Sequence, residues 1–543
     1  MSRAVRVASA LYGLSILLSR VIGLIREGVI GRVLGDSAQA DVYWVAFILP
    51  DFLNYLLAGG ALSLVLIPLM QSAAARGGER AAWDCFWRIT SPLAVFALGL
   101  TTLAWLSVDQ LTELLAPGFK PQQREELIYL TRIILPGQIF HLIGASLSAK
   151  LQAHDRHRAP ALAPLLYAGS IALSGLIFGE RFGAEAFAWG VLVGSALGPF
   201  GCPLIALLRR GEGGRLSGRP RWELRHEELR SYLWRALPVM LGFSIVALDE
   251  LIVKRFGTHL GEGSVAQLHY ARTLMKVPMG VFGLALGMAA FPTLSRYCAQ
   301  GRRAEALRLL GRSFKALLLL AALSQVALTA CSAELAALIW GRERLSDEAL
   351  SFIGSYCGAL SLGLWAWASQ GLIARGFYAM GQTWRPTLLG SVVTAAAVPL
   401  YLWASQLSPL ALCFASSAAI SSYVASLWWW VSRALRAEAD HAETDHAETG
   451  SIEHERSASE PMALNIAKIA LASAAGVAVA RALNEHLGGV AAWGEGVTGV
   501  IWPAALKLAG SLGVTLCLII TLKIDVVSEL SLKLKRRLAL GSS

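Results

Sequence analysis

The stretch SRVIGLIREGVIGRVLGDSAQADVYWVAFILPDFLNYLLAGGALSLVLIPLMQSAAARG, Ser19 to Gly77, is mostly apolar, yet it sets Arg20, Arg26, Glu27, Asp41 and Asp51 in or beside segments long enough to cross a membrane. A charge at that depth costs a few kcal/mol or more, so such side chains face a protein interior or a water-filled cavity. Helical spacing sharpens this reading. Gly13, Arg20, Gly23, Glu27 and Gly31 fall on one stripe, with Leu14, Leu17, Val21 and Ile25 off it. Arg26 sits about 100° round from Glu27. After Pro50, where a kink is expected, Asp51, Asn54, Tyr55 and Ala58 form a second polar stripe. An ion pair between Arg20 and Glu27 that only fixes helix packing is the other reading; the number of charges and their imbalance of sign favour a cavity.

The rest of the composition agrees. Mean hydropathy is +0.54 and only 16% of residues are charged, which excludes an ordinary soluble globule of this length and points to an all-α polytopic membrane protein. The opening MSRAVRVASALYGLS lacks a small-residue cleavage site before Arg20 and reads as a retained first helix. Seven scattered cysteines, without a C-x-x-C pair, predict neither disulfides nor a metal site, and nothing calls for a cofactor. The net charge of +11 comes from basic residues clustered in short loops, which positive-inside topology explains without nucleic acid.

Apolar runs give about fourteen spans, at roughly 8–33, 42–72, 86–107, 127–150, 160–179, 185–208, 230–256, 264–295, 313–340, 349–378, 386–405, 409–433, 462–483 and 498–523. Alternate loops are basic: Arg76 and Arg80, Arg156 and Arg158, the run Arg209 to Arg230, Arg302, Arg303 and Arg308, then Arg433 and Arg436. The tail with Lys533, Lys535, Arg536 and Arg537 falls on the same side, so both termini are expected in the cytoplasm.

A repeat is visible. The pattern AL-x5-P-x8-G at Ala61, Leu62, Pro68 and Gly77 recurs at Ala285, Leu286, Pro292 and Gly301, 224 positions on. The basic loop ending at Pro160 recurs before Pro386, 226 positions on. These near-equal offsets imply a duplicated unit of six spans; six being even, the copies are parallel and the cleft between them is the expected substrate route. The division is therefore 1–208, a six-helix lobe; 209–229, a basic cytoplasmic linker near anionic lipid; 230–433, a second six-helix lobe; 434–461, an acidic disordered loop with DHAET twice; 462–523, two further helices poor in charge that pack on one lobe or hold a lipid tail; and 524–543, a basic cytoplasmic tail.

Several stretches together resemble the MurJ/MviN family of lipid II flippases, within the superfamily of multidrug and oligosaccharidyl-lipid exporters. They are SRVIGLIREGVIGRVLG (Ser19 to Gly35), ADVYWVAFILP (Ala40 to Pro50), GGALSLVLIPL (Gly59 to Leu69), LLAPGF (Leu114 to Phe119), GSVAQLHYARTLMKVPMGVFGLALGMAAFPTLS (Gly263 to Ser295) and ARGFYAMGQTWRPTL (Ala374 to Leu388). The resemblance implies a pair of six-helix bundles whose cationic cavity accepts the diphosphate and sugar-peptide headgroup of an undecaprenyl-linked precursor and carries it outward by alternating access. Arginine suits a diphosphate through multidentate hydrogen bonds.

By that resemblance Arg20, Arg26 and Asp41 match cavity positions and Glu27 replaces an Asp. Other positions depart: the paired arginines expected after the second-helix proline are Asn54 and Tyr55, a nearby Lys is Ile48, and an expected Glu is Gly59. In the eighth span an expected Arg is Thr273 and an expected Glu is Lys276, while Arg272 stands one residue earlier. Arg272 and Lys276 share a helix face and could rebuild a phosphate-facing pair, or reach the membrane surface.

The expected substrate-binding set is thus Arg20, Arg26, Arg272, Lys276 and Asn54, with Glu27, Asp41, Asp249, Glu250 and Lys254 in gating or ion coupling; Glu250 and Lys254 are spaced for a pair whose role is either structural or in coupling. The leading function is a lipid II flippase in the bacterial cytoplasmic membrane, a monomer whose partners are the lipid-linked precursor and membrane lipids, driven by the membrane potential or an ion. Export of another polyprenyl-linked oligosaccharide or a small molecule, and a membrane scaffold without transport, are the alternatives. No nucleophile, metal cluster or phosphate loop supports an enzyme.

Overall fold

A computed structural model describes residues 3–57, 61–209, 217–223, 225–382, 384–445, 462–487, 497–522 and 524. Among them there is no strand. The helices are α1 (Arg3–Leu34), α2 (Ala38–Val45), α3 (Ile48–Leu57), α4 (Ala61–Leu106), α5 (Val108–Leu115), α6 (Pro121–Ile134), α7 (Gly137–Gln152), α8 (Arg158–Phe182), α9 (Ala184–Ser195) and, after a π-helical turn at Ala196–Gly201, α10 (Cys202–Leu208). The second series is α11 (Glu227–Gly257), α12 (Ser264–Ala299), α13 (Arg303–Trp340), α14 (Asp347–Ser361), α15 (Leu364–Ala379), α16 (Trp384–Ser405), α17 (Pro409–Asp445), α18 (Met462–Leu487) and α19 (Val497–Thr521). Twelve stretches among the described residues are long and apolar enough to cross a membrane, against about fourteen expected. Helices α1 and α11, of 32 and 31 residues, are not among the twelve, and both carry charges part-way along: Arg20, Arg26 and Glu27 in one, Asp249, Glu250 and Lys254 in the other.

The duplication is written in the element boundaries. Helix α14 begins 226 residues after α6, α15 227 after α7, α16 226 after α8 and α17 225 after α9. The chain reverses at Gly78, with φ +69°, inside the long α4, and again at Gly301, with φ +73°, between α12 and α13. Both positions take the left-handed conformation that glycine alone adopts without strain.

Breaks within spans follow from proline and glycine. The expected single span 42–72 is instead α2, α3 and the start of α4, and the break lies at Ala46–Phe47 rather than at Pro50. Pro50 has no N–H to offer the Ala46 carbonyl four residues back, so the helix parts there and restarts with proline in its first turn, where it is tolerated. Pro136 stands at the break between α6 and α7, and Gly363 between α14 and α15. At the second break the Ser417 hydroxyl donates to the Ala359 carbonyl at 2.9 Å, satisfying a helix-end acceptor.

Two compact units result, Met1–Ala266 with Ile339–Leu345, and Gln267–Leu338 with Ser346–Ser543. In the first, α3, α4, α7 and α11 enclose a core that includes Leu53, Leu66, Trp83, Phe86, Leu147 and Tyr232. Helix α11, placed in the second lobe by the repeat offset, packs against α3 and α4 of this unit. Two similar seams lie inside the unit. Gly28 and Gly31 of α1 approach Ile339 and Trp340 so closely that a Cβ at Gly28 would lie 2.7 Å from the Ile339 carbonyl oxygen. At the second seam, Arg255 Nε donates to the Leu114 carbonyl at 2.9 Å and the Gly118 N–H reaches Thr258 Oγ1 at 3.4 Å.

Two flanking segments differ from expectation. The described part of the linker is strapped to α4: Trp87 Nε1 donates to the Ser217 carbonyl at 2.7 Å, Arg221 pairs with Asp84 at 3.1 Å, and Arg88 pairs with Glu223 at 3.3 Å. Helix α11 starts at Glu227, and α17 continues to Asp445 because RALRAEADHAET is rich in strong helix formers; the rest of the acidic segment, like most of the basic tail, lies outside the described residues.

In the second unit α18 and α19 pack on each other and onto α13. They are not devoid of charge there: Lys507 of α19 pairs with Glu334 of α13, each residue 2% exposed.

Candidate functional site

In the first unit the expected residues occupy different surroundings. Arg20 is exposed on α1. Two turns on, Arg26 is half-buried and pairs with its neighbour Glu27, although the two leave the helix about 100° apart. A guanidinium on a three-carbon stem is long enough to reach round that arc. The expected partner of Glu27, had the charges been purely structural, was Arg20. The Arg26 guanidinium also lies within electrostatic reach of the hydroxyls of Tyr43 on α2 and Tyr167 on α8. On α3, Asn54 and Tyr55 are half-buried beside Asp51.

Asp41 is 1% exposed and serves the start of α12. One carboxylate oxygen accepts from the Gly263 N–H at 2.6 Å and the other from the Ala266 N–H at 2.7 Å, both donors belonging to the first unit. The first four N–H groups of a helix have no intrahelical acceptor, and the helix dipole concentrates positive charge there, so a carboxylate is the fitting cap. On α11, Glu250 and Lys254 pair at 3.5 Å as their spacing predicts, and Asp249 is buried beside them in sequence.

In the second unit Arg272 is 3% exposed; its Nη2 donates to Ser416 Oγ at 3.1 Å and the guanidinium sits 5.9 Å from the ring centre of Trp367. Lys276, one turn on, is half-buried. Arg272 and Lys276 therefore share an α12 face in the second unit, while Arg20, Arg26 and Asn54 stand in the first.

Other buried polar groups escape a reading of apolar runs. Lys150, at the end of α7, is fully buried, pairs with Glu79 at 2.6 Å and lies 4.6 Å from the ring centre of Trp83. His141 Nε2 stands 3.0 Å from Ser195 Oγ, which itself donates to the Val191 carbonyl, so the ring nitrogen is the donor of that contact. The available signal was a lone ionisable residue inside an apolar run. Among the described residues no cluster of His, Cys, Asp and Glu is placed to hold a metal ion.

Buried cations and acids on helices broken in corresponding places are found in a chain whose residues 30–481 match the family model described as lipid II flippase MurJ. The chain belongs to the MurJ family. A lipid II flippase MurJ of Burkholderia cenocepacia is 27% identical over 370 residues, 67% of this chain and 71% of that protein. A probable lipid II flippase MurJ of Haemophilus influenzae is 25% identical over 430 residues, covering 75% and 83%. Among solved structures, a MurJ in an inward closed conformation superposes with a TM-score of 0.73 at 17% identity, covering 95% of this chain and all of that one. An inward-facing multidrug transporter of the MATE family superposes with a TM-score of 0.67 at 14% identity over 77% of this chain. The MurJ family and the apolar helices make this a multi-pass membrane protein of the bacterial inner membrane, with the transporter fold of those two structures.

Proposed function

We propose that the protein carries lipid II, the undecaprenyl-diphosphate-linked peptidoglycan precursor, from the inner to the outer leaflet of the cytoplasmic membrane by alternating access, as a transporter and not an enzyme. The observation that supports this most directly is that a MurJ-family chain carries Arg20 and Arg26 on α1 and Arg272 and Lys276 on the apolar helix α12, cations of the kind a diphosphate needs. Arg20, Arg26, Asn54, Arg272 and Lys276 are the residues that contact the headgroup. Arg26 must exchange the Glu27 carboxylate for phosphate oxygens, one charged acceptor for another, whereas Arg272 must exchange the neutral Ser416 hydroxyl for a stronger, charged acceptor.

Asp41 and Glu27 act in gating. A carboxylate that holds two N–H groups of α12 stabilises the arrangement in which they meet and is released when they part. Asp249, Glu250 and Lys254 on α11 are the groups proposed to couple the cycle to an ion or to the membrane potential, a charge moved across the membrane being worth about 2.3 kcal/mol per 100 mV. The protein works as a monomer with both termini in the cytoplasm.

The test is a leaflet assay in cells that hold no second flippase. On depletion of the protein, lipid II should become protected from an externally added enzyme that cleaves its headgroup. Cleavage at the undepleted rate rejects the proposal.

A further inference from the structure

Arg375 lies on α15, inside a membrane-spanning stretch, and is half-buried. Its Nη1 donates to the Gly371 carbonyl of its own helix at 3.0 Å, and among the described residues no carboxylate pairs with it. Three other cations of the second unit are differently employed. Lys507 is consumed by Glu334, Arg272 is held by Ser416 and Trp367, and Arg385 lies against the rings of Trp384 and Trp430.

The slot that receives the Arg375 guanidinium is made by glycine. A Cβ at Gly287 of α12 would collide with Nη1, and one at Gly283, a turn earlier, would come within 2.8 Å of the Ala368 carbonyl oxygen. Small residues at this spacing bring α12 and α15 together, and the missing side chain at Gly287 gives the guanidinium the room it occupies. A half-buried guanidinium without a counter-charge is costly unless an anion arrives to complete it. Five N–H donors in a planar fork, one of them occupied by a carbonyl, leave the geometry that binds phosphate oxygens in pairs.

We propose that Arg375 is a further substrate-binding residue, a cation of the second unit that contacts the diphosphate of the lipid-linked precursor and is held in place by the Gly287 slot. This rests on the reading of the protein as a lipid II flippase and adds a contact that the α12 cations do not supply.

The experiment measures binding of undecaprenyl diphosphate, with uncharged undecaprenol as control, to the full chain in lipid nanodiscs. Arg375→Gln should weaken the diphosphate lipid about tenfold or more and leave undecaprenol within about twofold. Arg375→Lys should retain an intermediate affinity, and Gly287→Ala, which displaces the guanidinium without removing its charge, should weaken the diphosphate lipid as well. Equal binding of the diphosphate lipid by Arg375→Gln and the parent overturns the proposal, as does an equal loss for both lipids, which would mark a packing role. Should Arg375→Gln fail to fold, Arg375→Lys and Gly287→Ala decide on the same criteria. If the parent protein itself does not prefer the diphosphate lipid, the lipid II reading fails instead.

Discussion

The pair between Lys507 and Glu334 allows a quantitative test of how the last two helices are attached. Both groups are 2% exposed, so removing one strands the other charge away from water, at a cost of about 3–5 kcal/mol. Removing both leaves no charge to strand: Lys507→Met with Glu334→Gln keeps volume and should stay within about 1–2 kcal/mol of the parent. For a unit of this size the single changes translate to a fall in Tm on the order of 10 °C. The assay is thermal unfolding of the purified full chain in detergent, read by a thiol-reactive fluorophore. Cys331 is buried one turn before Glu334 and reports the opening of this seam once the other six cysteines are replaced by serine or alanine in the background. Lys507→Met and Glu334→Gln alone should each unfold well below the double variant. If the double variant is as unstable as the singles, or if all three match the parent, the pair is not sealed from water and the reasoning fails.

Three further outcomes follow from other contacts. Asp41→Asn keeps one good acceptor for the two N–H groups at the start of α12 and should lower stability by about 1.5–3 kcal/mol, with Asp41→Ala lower still, measured by the same unfolding assay. Gly28→Ala, which forces a methyl to 2.7 Å from the Ile339 carbonyl, should cost about 1–3 kcal/mol, whereas Gly23→Ala, with open space around it, should be neutral or stabilising. Trp87→Phe removes the bond to the Ser217 carbonyl, worth about 0.5–1.5 kcal/mol, and should raise the rate of limited tryptic cleavage at Arg221 several-fold.

Much of the architecture was legible because apolar run length and loop charge are one-dimensional signals. The repeat in particular appears in the sequence as two prolines at offsets of 224 and 226 and in the helices as starts 225 to 227 apart. What was not legible depends on neighbours distant in the chain. Glu250 and Lys254 meet as a helix dictates, but Lys150 and Glu79 are 71 residues apart and Lys507 and Glu334 are 173 apart, so no periodicity announces them. The Arg26 and Glu27 pair fails a helical-wheel argument because the wheel places Cβ atoms, not the tips of long side chains. Asp41 was singled out as a charge at depth, but its task of capping α12 needed the position of a backbone more than 220 residues away. The break at Ala46 was within reach of the sequence, since a proline disturbs the carbonyl four residues before it and not its own position.

The segment Ile339–Leu345 belongs by descent to the second copy, yet it covers the glycine face of the first copy's opening helix; in return Leu114 and Gly118, from the first copy, meet Arg255 and Thr258 at the end of the second copy's opening helix. Inheritance and folding have therefore drawn their borders in different places. A half-length ancestor would have carried a ledge with no use for it and a groove with nothing to fill it. A fragment ending near residue 208 would leave bare the glycine face of the first helix that Ile339–Leu345 covers, and should be less stable than the same residues in the full chain.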